Sequence, residues 1–164
     1  MKILKLAFIS AVALFLLVLA ISLLIPSKVR ISRAIDILIP KDSIAAPLQN
    51  LQQWQQWNEL VNHEQLTNKK VSKTSFTSDQ LSVTVQSLAG DTLITRWRQQ
   101  NGRYLTSGFT WHGNSNRLVL QWYFDVRLHW YPWEKFSSIV FDKQLGPPME
   151  KSLTNLKKLM ENQP

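Results

Sequence analysis

From Leu6 to Ile25 the chain reads LAFISAVALFLLVLAISLLI, with no charge and only Ser10 and Ser22 as polar side chains. Coiled as a helix, twenty such residues span roughly 30 Å, the hydrocarbon thickness of a bilayer. Pro26-Ser27 ends the run. The pattern then turns to alternation: Val29, Ile31, Ile35, Ile37 and Ile39 fall on one face, interrupted by Arg33. Period two over that length predicts a long, half-buried strand. Pro40-Lys41-Asp42-Ser43 reads as a strand stop and helix start, with Asp42 or Ser43 as N-cap. Pro47 limits that helix to a turn or two or kinks it. A second helical stretch covers about Leu51–Leu60, with Trp54 and Trp57 three apart on one face.

Five strands of a meander follow, near 69–76, 81–88, 92–99, 103–111 and 117–128. Asn101-Gly102 has the chemistry of a two-residue hairpin turn. That turn sets Trp97 opposite Thr106 and Leu93 opposite Thr110. A five-residue loop at 112–116 then sets Thr106 opposite Trp122, and a three-residue loop at 89–91 sets Val83 opposite Trp97. In this register one face carries Leu81, Val83, Val85, Leu93, Thr95, Trp97, Tyr104, Thr106, Gly108, Thr110, Leu118, Leu120, Trp122 and Phe124. The opposite face carries Ile94, Arg96, Arg98, Ser107, Gln121, Asp125 and Arg127 and is far more polar, so one side is buried and the other wet.

From Pro132 the pattern is helical, with an interruption at Gly146-Pro147-Pro148. Met149, Leu153, Leu156 and Met160 then form one stripe, which needs the apolar side of the sheet as its partner. The expected organisation is a transmembrane anchor at 1–25 and one α+β domain at 26–164.

The alternative for the first segment is a cleaved secretory signal. Such segments carry about 7–15 apolar residues before a small-x-small site. The run here is longer, and the nearest candidate site, Ala20-Ile21-Ser22, precedes three more apolar residues. Lys2 and Lys5 favour a cytoplasmic N-terminus, which sets the domain outside the cytoplasmic (inner) membrane; Lys28, Arg30 and Arg33 on the far side oppose that vote.

The domain holds 17 of the 19 basic residues and all 11 acidic ones, a net charge of +6. A basic domain at a membrane is drawn to anionic headgroups, first through Lys28, Arg30 and Arg33; the alternative is a solvated surface without a specific partner. The absence of cysteine excludes thiol catalysis, disulfides and cysteine-bound zinc.

In their order and spacing, the segments LLIPSKVRISRAIDILIP, NLQQWQQWNEL and LGPPMEKSLTNLKKLMEN resemble the START/Bet v 1-like (SRPBCC) superfamily, in particular membrane-anchored bacterial proteins labelled polyketide cyclase/dehydrase. The resemblance covers nearly the whole chain. It implies the helix-grip fold, a curved antiparallel sheet wrapped on a long C-terminal helix, often around a cavity for a lipid, sterol or polyketide. It implies no particular reaction.

The inward face of the expected sheet offers Tyr104, threonines and little else that ionises, and an enzyme needs converging polar groups in a pocket. His63, His112 and His129 are scattered without ligand spacing, so no metal is expected, and no cofactor motif is present. Nucleic acid is disfavoured because alternation sends Trp97 and its flanking arginines to opposite faces. The expected work is non-catalytic binding of a hydrophobic or amphipathic ligand. The cavity-lining candidates are Val83, Val85, Leu93, Trp97, Tyr104, Leu120, Trp122, Phe124, Leu153 and Leu156. Two alternatives stay open: a filled core with a protein-binding outer surface, and a cyclase or hydrolase dependent on Tyr104. The aromatic cluster at 129–133 reads as core, ligand lining or membrane contact.

Overall fold

The computed structural model describes residues 2–100, 102, 104–129 and 131–162. Helix α1 (Lys2–Leu24) is long and apolar enough to cross a membrane. Most of its side chains are exposed. Val18, Leu19, Ser22 and Ile25 are the covered stripe on its last turns, and the helix it meets is α5 (Pro132–Glu161). There the Lys135 ammonium donates to the Ile25 carbonyl at 2.5 Å.

Strand β1 (Lys28–Ile37) follows and ends two residues short of Ile39, the last position of the expected alternation. Asp42 and Ser43 are not N-caps: they lie in a 3-10 turn, Lys41–Ser43, and Ile44 occupies the cap position of α2 (Ala45–Gln49) without a side-chain bond. Pro47 costs α2 no hydrogen bond, because the first N–H groups of a helix have no partner in the helix. The stretch expected as one helix at 51–60 is two single turns, α3 (Leu51–Trp54) and α4 (Glu59–Asn62). Each is started by an asparagine: Asn50 accepts from the Gln52 N–H and Asn58 from the Leu60 N–H. Trp54 and Trp57 still point the same way, both fully buried.

The sheet is antiparallel in the order β1-β7-β6-β5-β4-β3-β2. The first meander segment divides into β2 (Lys70–Val71) and β3 (Ser75–Thr77) around a turn closed by Ser72 and Ser75. In β4 (Leu81–Ala89) and β5 (Thr92–Gln99), Val83 faces Trp97 as expected, by a different route. Ala89 pairs with Thr92 across a tight turn in which Gly90 takes φ +54°, and a bulge between Val85 and Ser87 restores the register.

Strand β6 (Tyr104–Gly113) is inverted relative to expectation. Trp97 faces Leu105, not Thr106, because the Arg98–Tyr104 pair encloses an odd number of residues where a two-residue turn would enclose an even one; the Gly102 N–H donates to the Gln99 carbonyl, and Gly102 takes a positive φ, +79°. Asn101, the other half of the expected turn, lies outside the described residues. The next hairpin departs by another odd step. Gly113 pairs with Leu118, and Phe109, not Thr106, faces Trp122 in β7 (Leu118–Arg127). Two odd departures cancel, so β7 presents the expected face and β6 alone is reversed. Leu105, Ser107, Phe109 and Trp111 are buried, whereas Tyr104, Thr106 and Thr110 turn outward.

Helix α5 runs unbroken from Pro132 to Glu161, so the expected interruption at Gly146-Pro147-Pro148 is absent. The two prolines instead deprive the Lys143 and Gln144 carbonyls of their helical partners while the coil continues. Beyond them Met149, Leu153, Leu156 and Met160 are buried, the stripe expected from the sequence. The helix is tied to β1 by Arg33, which meets Asp142 at 2.9 Å and Glu150 at 2.6 Å, and by Lys157, which donates to the Asp36 carbonyl.

Candidate functional site

The space between sheet and helix is filled by rings. Phe109 stacks on Trp122 at 5.0 Å between centroids, Trp97 meets Phe124 edge-on at 5.1 Å, and Trp54 bridges to Trp57, Trp97 and Phe109. Such contacts add about 0.5–1.5 kcal/mol per pair beyond burial. Their polar atoms are satisfied locally. The Trp97 indole donates to Thr95 Oγ1, which donates to the Ser107 carbonyl; the Trp122 indole donates to Ser107 Oγ at 2.7 Å; the Trp54 indole donates to the Leu48 carbonyl. Only Trp57 Nε1 and Asn58 Nδ2 are buried without a partner among the described residues.

Of the cavity-lining candidates, Val83, Leu93, Trp97, Leu120, Trp122, Phe124, Leu153 and Leu156 all lie buried in this layer, and Val85 at its edge. Tyr104 does not: it is 58% exposed on the other side of the sheet, the consequence of the β6 inversion. Sequence reasoning left Leu105, Phe109 and Trp111 out of the layer for the same reason. Trp54 and Trp57 carried a readable signal in their spacing, but not the depth to which they enter it.

Open apolar space remains at one end. A crevice of about 70 Å³ lies between α5 and the sheet, lined by Leu105, Val126, Phe141 and Leu145, with Gln99 and Gln144 at its rim. It is the end at which β7 finishes and β1 begins, since Val126 of its lining pairs with Val29. The preceding turns of α5 expose Trp133, Phe136 and Val140, spaced three and four apart along one side. Trp133 stacks on Tyr131 at 4.9 Å; Trp130, of the same cluster, lies outside the described residues. Among the described residues its lining is apolar side chains and two amides, which can hold an apolar group.

The first three basic residues after α1 have different surroundings. Lys28 is exposed. Arg30 forms a two-point pair with Asp125, both contacts at 2.7 Å, and lies 4.1 Å over the Tyr123 ring. Arg33 is engaged by two carboxylates of α5, which raise its pKa further above the ordinary range; in turn its hydrogen bond holds the Asp142 carboxyl below the usual value. No group of three or more potential metal ligands occurs among the described residues.

No family model matches this sequence, and no curated protein matches it. Solved structures do. The fold superimposes on DynU16 from the dynemicin biosynthetic locus with a TM-score of 0.55 and 16% identity over 81% of this chain, which spans 47% of DynU16. Norcoclaurine synthase from Thalictrum flavum gives a TM-score of 0.54 at 10% identity, covering 84% of this chain and 96% of that one. A START superfamily protein from Mycobacterium smegmatis gives 0.50 at 12% identity, covering 80% and 98%. A seven-stranded antiparallel sheet closed on one long C-terminal helix, in this company, is the helix-grip fold of the Bet v 1/START-like structures.

Proposed function

We propose that the chain is a single-pass membrane protein of the cytoplasmic membrane whose extracytoplasmic helix-grip domain binds one apolar or amphipathic molecule, without catalysis, at the crevice between α5 and the sheet. The observation that carries this reading is the position of the crevice. It lies where β1 begins, and the turns of α5 that precede it meet Ile25 and expose Trp133, Phe136 and Val140. An apolar chain leaving the bilayer there exchanges one apolar environment for another, at about 25 cal/mol for each Å² kept from water.

The crevice has about twice the volume occupied by a water molecule in the liquid, so it holds the end of a ligand. Deeper entry requires the first half of α5 to tilt away from the sheet. The missing rungs at Pro147 and Pro148 mark where it tilts, and the buried stripe from Met149 to Met160 holds the second half in place.

The filled ring layer favours a second reading, an interaction module with a closed core and a protein-binding outer surface. Native mass spectrometry of the full chain, after incubation with a membrane lipid extract, separates the two. Ligand binding predicts a discrete added mass that is lost on organic extraction and in Leu105→Trp, which plugs the crevice. A clean apo mass under the same conditions supports the interaction module.

A further inference from the structure

A second concavity lies on the opposite, outer face of the sheet. It measures about 770 Å³, within the size range of small-molecule sites, and its walls are mostly polar and cationic. The register explains why. Arg30 pairs with Asp125, Asp125 with Thr106, and Thr106 with Arg96, so one row across β1, β7, β6 and β5 carries two arginines. Two residues nearer the anchor, Lys28 pairs with Arg127 and Arg98 with Tyr104. Four strands distant in sequence thus bring five cations to one patch, against a single carboxylate.

That carboxylate is already used, held at two points by Arg30. Arg96 and Arg98 lie 6.0 and 5.5 Å from the Tyr104 ring centre, which orients them without neutralising them. Lys28, Arg96 and Arg127 have no ion-pair partner among the described residues. The groove therefore presents excess positive charge around a hydroxyl and a phenol, the donor set that suits a phosphate group.

We propose that this groove binds the phosphate-bearing headgroup of an anionic lipid in the bilayer that holds α1, an inference that rests on the anchored reading above. Position selects the lipid over a soluble phosphate. Lys28 is three residues beyond Ile25, at most about 11 Å of extended chain, which keeps the near row of cations at headgroup level. Arg33, next in sequence, is not part of the site, because it is committed to Asp142 and Glu150 on the other side of β1. The site also fixes orientation: with headgroups in the groove, the crevice and the exposed side of α5 stay against the same bilayer.

The test reconstitutes the full chain in equimolar phosphatidylglycerol and phosphatidylcholine and counts the lipids that accompany it into native mass spectrometry. The wild type should retain phosphatidylglycerol selectively. Arg96→Gln combined with Arg127→Gln should reduce that selectivity roughly tenfold or more, and Thr106→Asp, which adds a carboxylate at the groove, should do the same. Circular dichroism confirms that each variant is folded. Equal retention of both lipids by the wild type, or unchanged selectivity in both variants, overturns the inference. So does binding of inorganic phosphate without lipid selectivity, which assigns the groove to a soluble anion. Alkaline carbonate extraction distinguishes the underlying reading: release of the chain from vesicles defeats the anchor itself, whereas retention without selectivity defeats only the groove.

Discussion

Arg33 of β1 crosses α5 at Gly146, where a Cβ would overlap the guanidinium and push it aside. The side chain passing through the gap reaches Asp142 and Glu150, one turn to either side. Gly146 is thus a point of close approach between strand and helix. An alanine at 146 would also meet the ring of Pro147, which disfavours a helical side chain just before it, so Gly146→Ala should destabilise the wild type and should do so less in an Arg33→Ala background. Denaturant melts of the four proteins measure the coupling, expected at about 1 kcal/mol. Additive effects would show that Arg33 moves aside freely.

The same clamp carries a pH signature. Its hydrogen bond to Arg33 holds the Asp142 carboxyl below its ordinary value of 3.8. A carboxyl depressed in the folded state contributes stability above its unfolded pKa and loses it as pH falls through the folded value. The wild type should exceed Asp142→Asn in stability at neutral pH, and the difference should shrink below pH 3.8. Because the Asp142 side chain is mostly exposed, the effect is small and weakens with added salt. A gap that is constant across the acid range would separate Asp142 from the clamp.

Two adjacent tryptophans differ in one atom's surroundings. The Trp54 indole donates to the Leu48 carbonyl at 2.9 Å, whereas Trp57 Nε1 is buried without a partner among the described residues. Tryptophan to phenylalanine removes similar volume at each site, so the hydrogen bond sets the difference. Trp54→Phe should cost about 1 kcal/mol more than Trp57→Phe in thermal or denaturant unfolding. The reverse order would mean that packing dominates both.

On the outer face, Tyr123 lies against Gly108, its cross-strand neighbour, with Arg30 over the ring. No side chain fits at 108 without displacing the phenol. Gly108→Val should destabilise by about 1–3 kcal/mol and should also release Arg30, raising its hydrogen-exchange rate. Stability equal to wild type would show that the sheet flexes there.

Individual strands were legible because burial imposes period two on β1, β4, β5 and β7. Whether β6 faces in or out was not legible, because it depends on loop length. Gly102 is compatible with a two- or a three-residue turn, and one residue reverses every side chain of the next strand. Ser107 shows the consequence. As a small polar residue it reads as solvent-facing, yet it is fully buried because Trp122 and Thr95 give its oxygens partners. Gly146-Pro147-Pro148 was misleading for the opposite reason: composition marks a break, but packing of the following stripe keeps the helix continuous. Of the outer groove, Arg96, Arg98, Asp125 and Arg127 were legible as one polar face, whereas the pairing of β1 with β7, which sets Lys28 and Arg30 beside them, was not.

The central claim is that α5 and the sheet admit an apolar ligand from the bilayer at Phe141, while the ring layer beyond stays closed. Photo-crosslinking tests it directly, with a photoreactive residue at Phe141 or at Leu153 of the full chain in lipid vesicles. The account predicts acyl-chain adducts from position 141 and only intramolecular products from position 153. Intramolecular products from both positions would contradict it.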